Sequence, residues 1–357
     1  MSTDSFNQSI PSITRGPRES NFELLRIVAM FFVLVLHADF WSLGAPSNHD
    51  IITNPINAIS RIFFESLAIG SVNTFILISG WFGIKFSFKS FANFIFQCLY
   101  FFIGIYLALY FSGYVDLSLA GVAQCFCLTP KNWFIKAYIG LYLLSPLIEA
   151  FLKSCTRRKI ELFLILFYIF QTIWGCSGAA KFIEHGYSTF SFIGLYILAR
   201  YIKIYRKDDV MRYGGGIYVV SISVIVIVYL LLELFLGKGS YVFDYINPLV
   251  VLSAVGLLLW FSTLRIDYVK IINWIAKSSF AVFLLHCNPN IGSSFYKCIC
   301  IYIYENYNGF TCIMIFLIVL LIIFLIAVVL DQPHIWIWNR IIKLQGFKKY
   351  FDCDRSY

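Results

Sequence analysis

The chain has 357 residues, of which 60% are hydrophobic, 19% aromatic and only 13% charged. An ordinary soluble domain carries about 25% charged residues, so a soluble monomer of this composition would expose too much apolar surface, and the aromatic content excludes intrinsic disorder. The net charge of +9 does not indicate nucleic acid, because the Lys and Arg residues fall in short clusters between apolar runs and build no single basic face.

Residues 1–21 are polar and lack an apolar signal-peptide core, so the first apolar run is expected to stay in the membrane as a span. A spanning helix needs about 20 mostly apolar residues. About ten such runs follow, near 22–42, 57–82, 91–112, 132–152, 160–176, 190–205, 216–236, 243–262, 272–290 and 309–331. They predict an all-α fold, a polytopic transmembrane helix bundle between two tails, 1–21 and 341–357, with 22–340 as the membrane domain. No internal repeat is visible. The 10 Cys residues are scattered, mostly beside apolar neighbours, and read as small buried hydrophobes.

Basic residues orient the bundle. Loops 83–90, 153–159, 200–212 and 263–277 and both tails are rich in Lys and Arg. The intervening loops hold none (43–56) or one each: Lys131, Lys181, Lys238 and Lys297. Basic loops face the cytoplasm, which places both termini there.

Ionisable residues inside the spans are expensive and mark function by default. In the first span, Glu23 lies one turn before Arg26 and can pair with it. Arg26 and His37 are eleven residues apart and so share a face, separated axially by roughly 16 Å. Arg26 would sit at the inner surface and His37 past the midplane. Such a helix can hold an elongated anion, with the guanidinium on phosphate and the imidazole at the far end. In the second span, Arg61 and Glu65 are an i,i+4 pair at the depth of His37, and Ser79-Gly80 reads as a close helix contact. Trp133 reads as an interfacial anchor. His286 comes just before Asn288-Pro289, at a broken helix end in the outer half. Asp331, Pro333 and His334 read as the boundary of the last span.

These segments resemble the acyltransferase 3 family of integral-membrane acyltransferases. The resemblance starts with Glu23-Leu24-Leu25-Arg26-Ile27-Val28-Ala29 leading to His37, the family's Arg-x10-His arrangement. It continues at Asn73-Thr74-Phe75-Ile76-Leu77-Ile78-Ser79-Gly80-Trp81-Phe82, at Asn132-Trp133-Phe134 through Leu141-Tyr142-Leu143 to Pro146, and at Ser279-Phe280-Ala281-Val282-Phe283-Leu284-Leu285-His286. Where many members carry Arg-x-x-Arg at the third span, this chain has Lys85 and Lys89 at a wider spacing.

The resemblance implies an O-acetyltransferase type of activity on bacterial surface polysaccharide, with the chain in the inner membrane. Acetyl-CoA or another acyl-CoA would be a donor substrate, with no permanently bound cofactor and no metal. The acceptor would be a hydroxyl of a glycan or lipid-linked sugar. In these terms His37 is the catalytic candidate, Arg26, Lys85 and Lys89 the CoA-binding candidates, and Arg61, Glu65 and His286 the acceptor-side candidates. Two other classes use the same buried charges: a transporter or flippase of a lipid-linked sugar, and a non-catalytic subunit of polysaccharide export.

Overall fold

The computed structural model describes residues 18–344, so nearly all of both expected tails lies outside the described residues. Among these the fold is wholly helical, with no strand. In chain order the α-helices are α1 (Ser20–Ala38), α2 (Phe40–Leu43), α3 (Asn48–Thr53), α4 (Pro55–Ala68), α5 (Ser71–Phe82), α6 (Phe88–Phe111), α7 (Leu119–Cys125), α8 (Trp133–Ser154) and α9 (Arg157–Cys176). They continue as α10 (Thr189–Tyr201), α11 (Lys207–Val210), α12 (Gly214–Leu236), α13 (Pro248–Thr263), α14 (Lys270–Ala276), α15 (Ser279–His286), α16 (Lys297–Asn306) and α17 (Gly309–Ile341).

Among the described residues, six helices or continuous helical stretches are long and apolar enough to cross a membrane: 20–43, 55–82, 88–111, 133–154, 189–236 and 309–341. The chain is therefore a membrane protein. The 189–236 stretch holds two of the apolar runs read from the sequence, joined by a π turn at Ile202–Arg206 and by α11.

Local chemistry sets the helix starts. Ser47 and Asp50 form a capping box at α3. Asn54 caps α4 ahead of Pro55, Ser87 caps α6, Ser188 caps α10, and Asn247 caps α13 ahead of Pro248. Gly237 ends α12 at φ 64°, in the left-handed region.

Several apolar runs fold as two pieces. Run 22–42 stops at Ala38, because Asp39 leaves the helical region (ψ −98°) before the short α2. Run 57–82 divides at Ile69-Gly70 into α4 and α5. Run 272–290 becomes α14 and α15. Run 309–331 does the opposite: α17 passes through Pro333 and reaches Ile341, so this segment is not the helix boundary that the sequence suggested.

The chain divides into two compact units. The first joins 18–85 to 133–273. Within it α12 packs along α13, α5 against α10 and α13, α8 against α10, and α1 against α4, α5 and α13. Close helix approach is built on glycine. A Cβ on Gly80 would lie 2.5 Å from the Tyr196 carbonyl oxygen, which bears out the reading of Ser79-Gly80 as a helix contact. A Cβ on Gly256 would lie 2.6 Å from the Tyr218 nitrogen. Leu36, Ala68, Ile69, Ile225, Val242 and Val250 form a core cluster of this unit, around the end of α1.

The second unit joins 86–132 to 274–344. Here α15 packs on α6 and α17, α16 on α17, and α7 on α6. Cys98, Cys125 and Cys312 are buried in it as thiols.

Candidate active site

In the first unit, α1 carries both members of the Arg-x10-His pair. Its start is tied down by side chains. The Ser20 hydroxyl accepts from the Val269 N–H at 2.9 Å and from Asn273 at 2.8 Å, and Asn21 donates to the Phe261 carbonyl at 3.1 Å. Glu23, one turn on, is buried. It pairs with Arg26 at 2.5 Å, as the i,i+3 spacing predicts, and with Arg18 at 3.8 Å. One buried carboxylate is thus shared by two guanidinium groups. The Arg26 side chain keeps 32% of its surface exposed, and a guanidinium has five donors, so capacity remains for an anion.

More positive charge gathers at this end of the first unit. Lys203, on the π turn, places its ammonium 4.9 Å from the Phe82 ring centroid and 5.7 Å from that of Trp81. Phe22 of α1 meets Phe82 edge-on at 4.9 Å. Lys85 is exposed just beyond α5. Lys89 is exposed in the first turn of α6, in the second unit.

Behind this surface lies a buried ion pair. Arg200 Nε is 3.1 Å from Glu149 Oε1, and Arg200 Nη2 donates to Glu149 Oε2 at 3.2 Å. Tyr196 donates to the same carboxylate at 2.6 Å and accepts from the Ile84 N–H at 2.8 Å. Arg200 is therefore a packed residue between α10 and α8. It is not one of the solvated basic residues of the 200–212 cluster in which the sequence had placed it.

His37 is half-buried in the last turn of α1. Its ring lies 5.5 Å from that of Trp41, and its carbonyl accepts from the Ser42 hydroxyl at 2.5 Å. Two residues on, Asp39 forms an ion pair with Arg61 of α4 at 2.6 Å. Arg61 also donates to the Gly44 carbonyl. Glu65 is buried at 5% exposure and is bonded by the main chain of Phe40. The structure thus brings the end of α1 together with Arg61 and Glu65, as their expected depth implied. The strong partner of Arg61 is Asp39, which the i,i+4 reading did not anticipate. Asp39 carried one signal, an acidic residue inside the apolar run 22–42, two positions after His37.

His286 lies in the second unit and is the last residue of α15, at the expected helix break. It is buried, and its Nδ1 donates to the Val282 carbonyl at 2.6 Å. That bond fixes the tautomer and leaves Nε2 as the acceptor. The same unit buries Asp331 and His334, 3.0 Å apart, with Gln97 donating to Asp331 at 2.9 Å. These two are interior residues of α17, where the sequence suggested a boundary.

A cationic, partly exposed start and an imidazole at the finish make α1 suited to a long anionic donor with a reactive far end. Neither a curated protein nor a solved structure matches the chain. The family comparison does find a match, over residues 19–332, to the model described as an acyltransferase domain, and the chain therefore belongs to the acyltransferase 3 family of membrane acyltransferases.

Proposed function

We propose that this chain moves an acyl group, acetyl by the resemblance, from cytosolic acyl-CoA to a hydroxyl of a cell-surface polysaccharide or lipid-linked sugar. The observation that carries the reading is the placement of Arg26 and His37 at opposite ends of one helix of an acyltransferase-family chain. Arg26, with Lys85, holds the CoA phosphates by charge-assisted bonds, and the family resemblance adds Lys89 of the second unit as a phosphate-binding candidate. The pantetheine arm runs along α1, and roughly 16 Å of helix separates the phosphate end from the imidazole.

His37 acts as the general base. It takes the proton of the acceptor hydroxyl as the oxygen attacks the thioester carbonyl. The carbon–sulfur bond breaks, the ester forms, and the proton passes to the departing CoA thiolate. Arg61 and Glu65 orient the acceptor or steady the developing oxyanion, and the family resemblance adds His286 of the second unit as an acceptor-side candidate. The topology that serves this chemistry has about ten spans and both termini in the cytoplasm, in a bacterial inner membrane.

The test is transfer from labelled acetyl-CoA into surface glycan, with membranes carrying the native chain or matched amounts of His37→Ala. Label entering the glycan with the native chain alone supports the reading. Equal transfer by the two removes His37 from the chemistry.

A further inference from the structure

Three aromatic side chains from three separate stretches of the first unit meet at their rings. Trp133 opens α8, Tyr187 lies in the connection to α10, and Tyr245 lies in the connection to α13. The Trp133 and Tyr187 centroids are 4.5 Å apart, those of Tyr187 and Tyr245 are 5.2 Å apart at 89°, and those of Trp133 and Tyr245 are 6.1 Å apart.

The triangle is braced. Asn73 donates to the Tyr245 carbonyl at 2.9 Å. A Cβ on Gly186 would lie 2.6 Å from the Tyr245 Cβ, so the 184–186 turn sits directly on that residue. His185, at φ 56°, is held in the left-handed region by its Nδ1 contact with Asp244 at 2.9 Å. Tyr187 nevertheless keeps 40% of its surface exposed.

Interfacial anchoring accounts for single Trp or Tyr residues along a span. It does not account for three rings closing on one another beside two carboxylates. Asp244 and Glu65 both act electrostatically on the Tyr187 hydroxyl. Burial and these two charges push that phenol up from its ordinary value, so Tyr187 stays an O–H donor at neutral pH. Glu65 is 5% exposed, and its Oε2 has no hydrogen-bond partner. A buried carboxylate oxygen without a donor is costly, and a bound hydroxyl would supply one.

We propose that Trp133, Tyr187 and Tyr245 form a sugar-binding platform, with Glu65 and Asp244 accepting hydrogen bonds from the sugar hydroxyl groups. A pyranose has an apolar C–H face for the rings and a hydroxyl edge for the carboxylates. Glu65 also accepts from the main chain of Phe40, three residues after His37, which links the platform to the end of α1. Naming that sugar as the acyl acceptor rests on the acyltransfer reading; the platform itself does not.

Saturation-transfer NMR tests it, with the chain in lipid nanodiscs and methyl glycosides of glucose, galactose, mannose, rhamnose and N-acetylglucosamine as probes. At least one glycoside should receive saturation at its C–H protons from the native chain. Tyr187→Ala should weaken that binding about five- to tenfold, and Tyr187→Trp should restore it. No signal from any glycoside with the native chain, or equal binding to Tyr187→Ala, overturns the platform. Thermal stabilisation by CoA is read on the same samples. CoA stabilisation without a glycoside signal sinks the platform and leaves acyl transfer standing. A Tyr187-dependent glycoside signal without CoA stabilisation does the reverse.

Discussion

Asp39 and Arg61 are ion-paired at 2.6 Å with 12% and 14% of their side chains exposed, and they lock the irregular turn after α1 to α4. The Arg61 guanidinium also lies 5.9 Å from the Phe40 ring centroid. The pair therefore fixes the chain direction just past His37.

Removing Arg61 leaves Asp39 a largely buried anion. Arg61→Ala should cost about 3 kcal/mol, the lower end of the range for breaking a buried pair. The double variant Asp39→Asn/Arg61→Ala should cost less than the two singles summed. Thermal unfolding in nanodiscs reads the cycle, and strict additivity would show that the pair contributes no coupling.

The Arg200–Glu149 pair is buried more deeply, at 5% and 8% side-chain exposure. Glu149→Ala should cost about 3–5 kcal/mol, since it strands a cation. Tyr196→Phe should cost about 1–3 kcal/mol, the range for losing a hydrogen bond to a charged group. Arg200→Lys should itself be destabilising, because an ammonium cannot match two carboxylate oxygens at once. Melting temperatures in the order native, Tyr196→Phe, Glu149→Ala check the ranking.

Gly80→Ala tests helix approach. The new Cβ would meet the Tyr196 carbonyl oxygen at 2.5 Å and its Cα at 2.9 Å, and backbone atoms cannot turn aside. Helix α10 would have to move away from α5, straining the Tyr196–Glu149 bond with it. A loss of about 1–3 kcal/mol is expected, as for overpacking elsewhere. Gly216→Ala is the control, because open space surrounds that position. Equal stability of Gly80→Ala and the control would show that the two helices have slack.

Asp50 carries the pH dependence of the α3 cap. Its carboxyl is held below the ordinary 3.8, first by the Ser47 hydroxyl and then by the Ser47 N–H. A lowered folded-state value means that the cap is at full strength above the ordinary carboxylate value and fades as pH falls through the folded one. Protection of the amides across 47–53, taken as exchange relative to the intrinsic rate at each pH, should therefore fall in acid below about pH 4, and Asp50→Asn should be weakly protected at every pH. A protection profile for the native chain that is flat down to pH 2 would count against the cap.

The helical class, the Glu23–Arg26 pair and the helix end at His286 were legible because each follows from local spacing. What escaped depended on distant partners. Arg200 sits in a run of basic residues, and nothing nearby announces Glu149 as its counter-ion. Asp39 and Arg61 are brought together by the turn through Gly44, which hydropathy does not describe. The division of 57–82 into two helices escaped for the same reason. A Cβ on Gly70 would lie 2.6 Å from the Ser253 hydroxyl oxygen of α13, a tertiary contact that an apolar count cannot contain. The sugar platform escaped because Trp133, Tyr187 and Tyr245 each resemble an ordinary interfacial aromatic until they are seen together.

The unbroken length of α17 bears on the bilayer itself. At 33 residues it extends about 50 Å, well beyond a hydrocarbon core of about 30 Å. Pro333 deprives the Val329 carbonyl of its helical donor, while Gln332 bonds the Val328 carbonyl at 2.8 Å and holds the turn together. The segment beyond it carries Trp336, Trp338 and Arg340, residues suited to the headgroup layer. A rigid rod with its Trp and Arg side chains only at one end works as a depth gauge. In a thinner membrane it must tilt or draw the lipid up around it, and α15 and α6, which pack on it, would tilt with it. Lipid thickness thereby becomes a variable that reaches the buried Asp331 and His334 through one continuous helix.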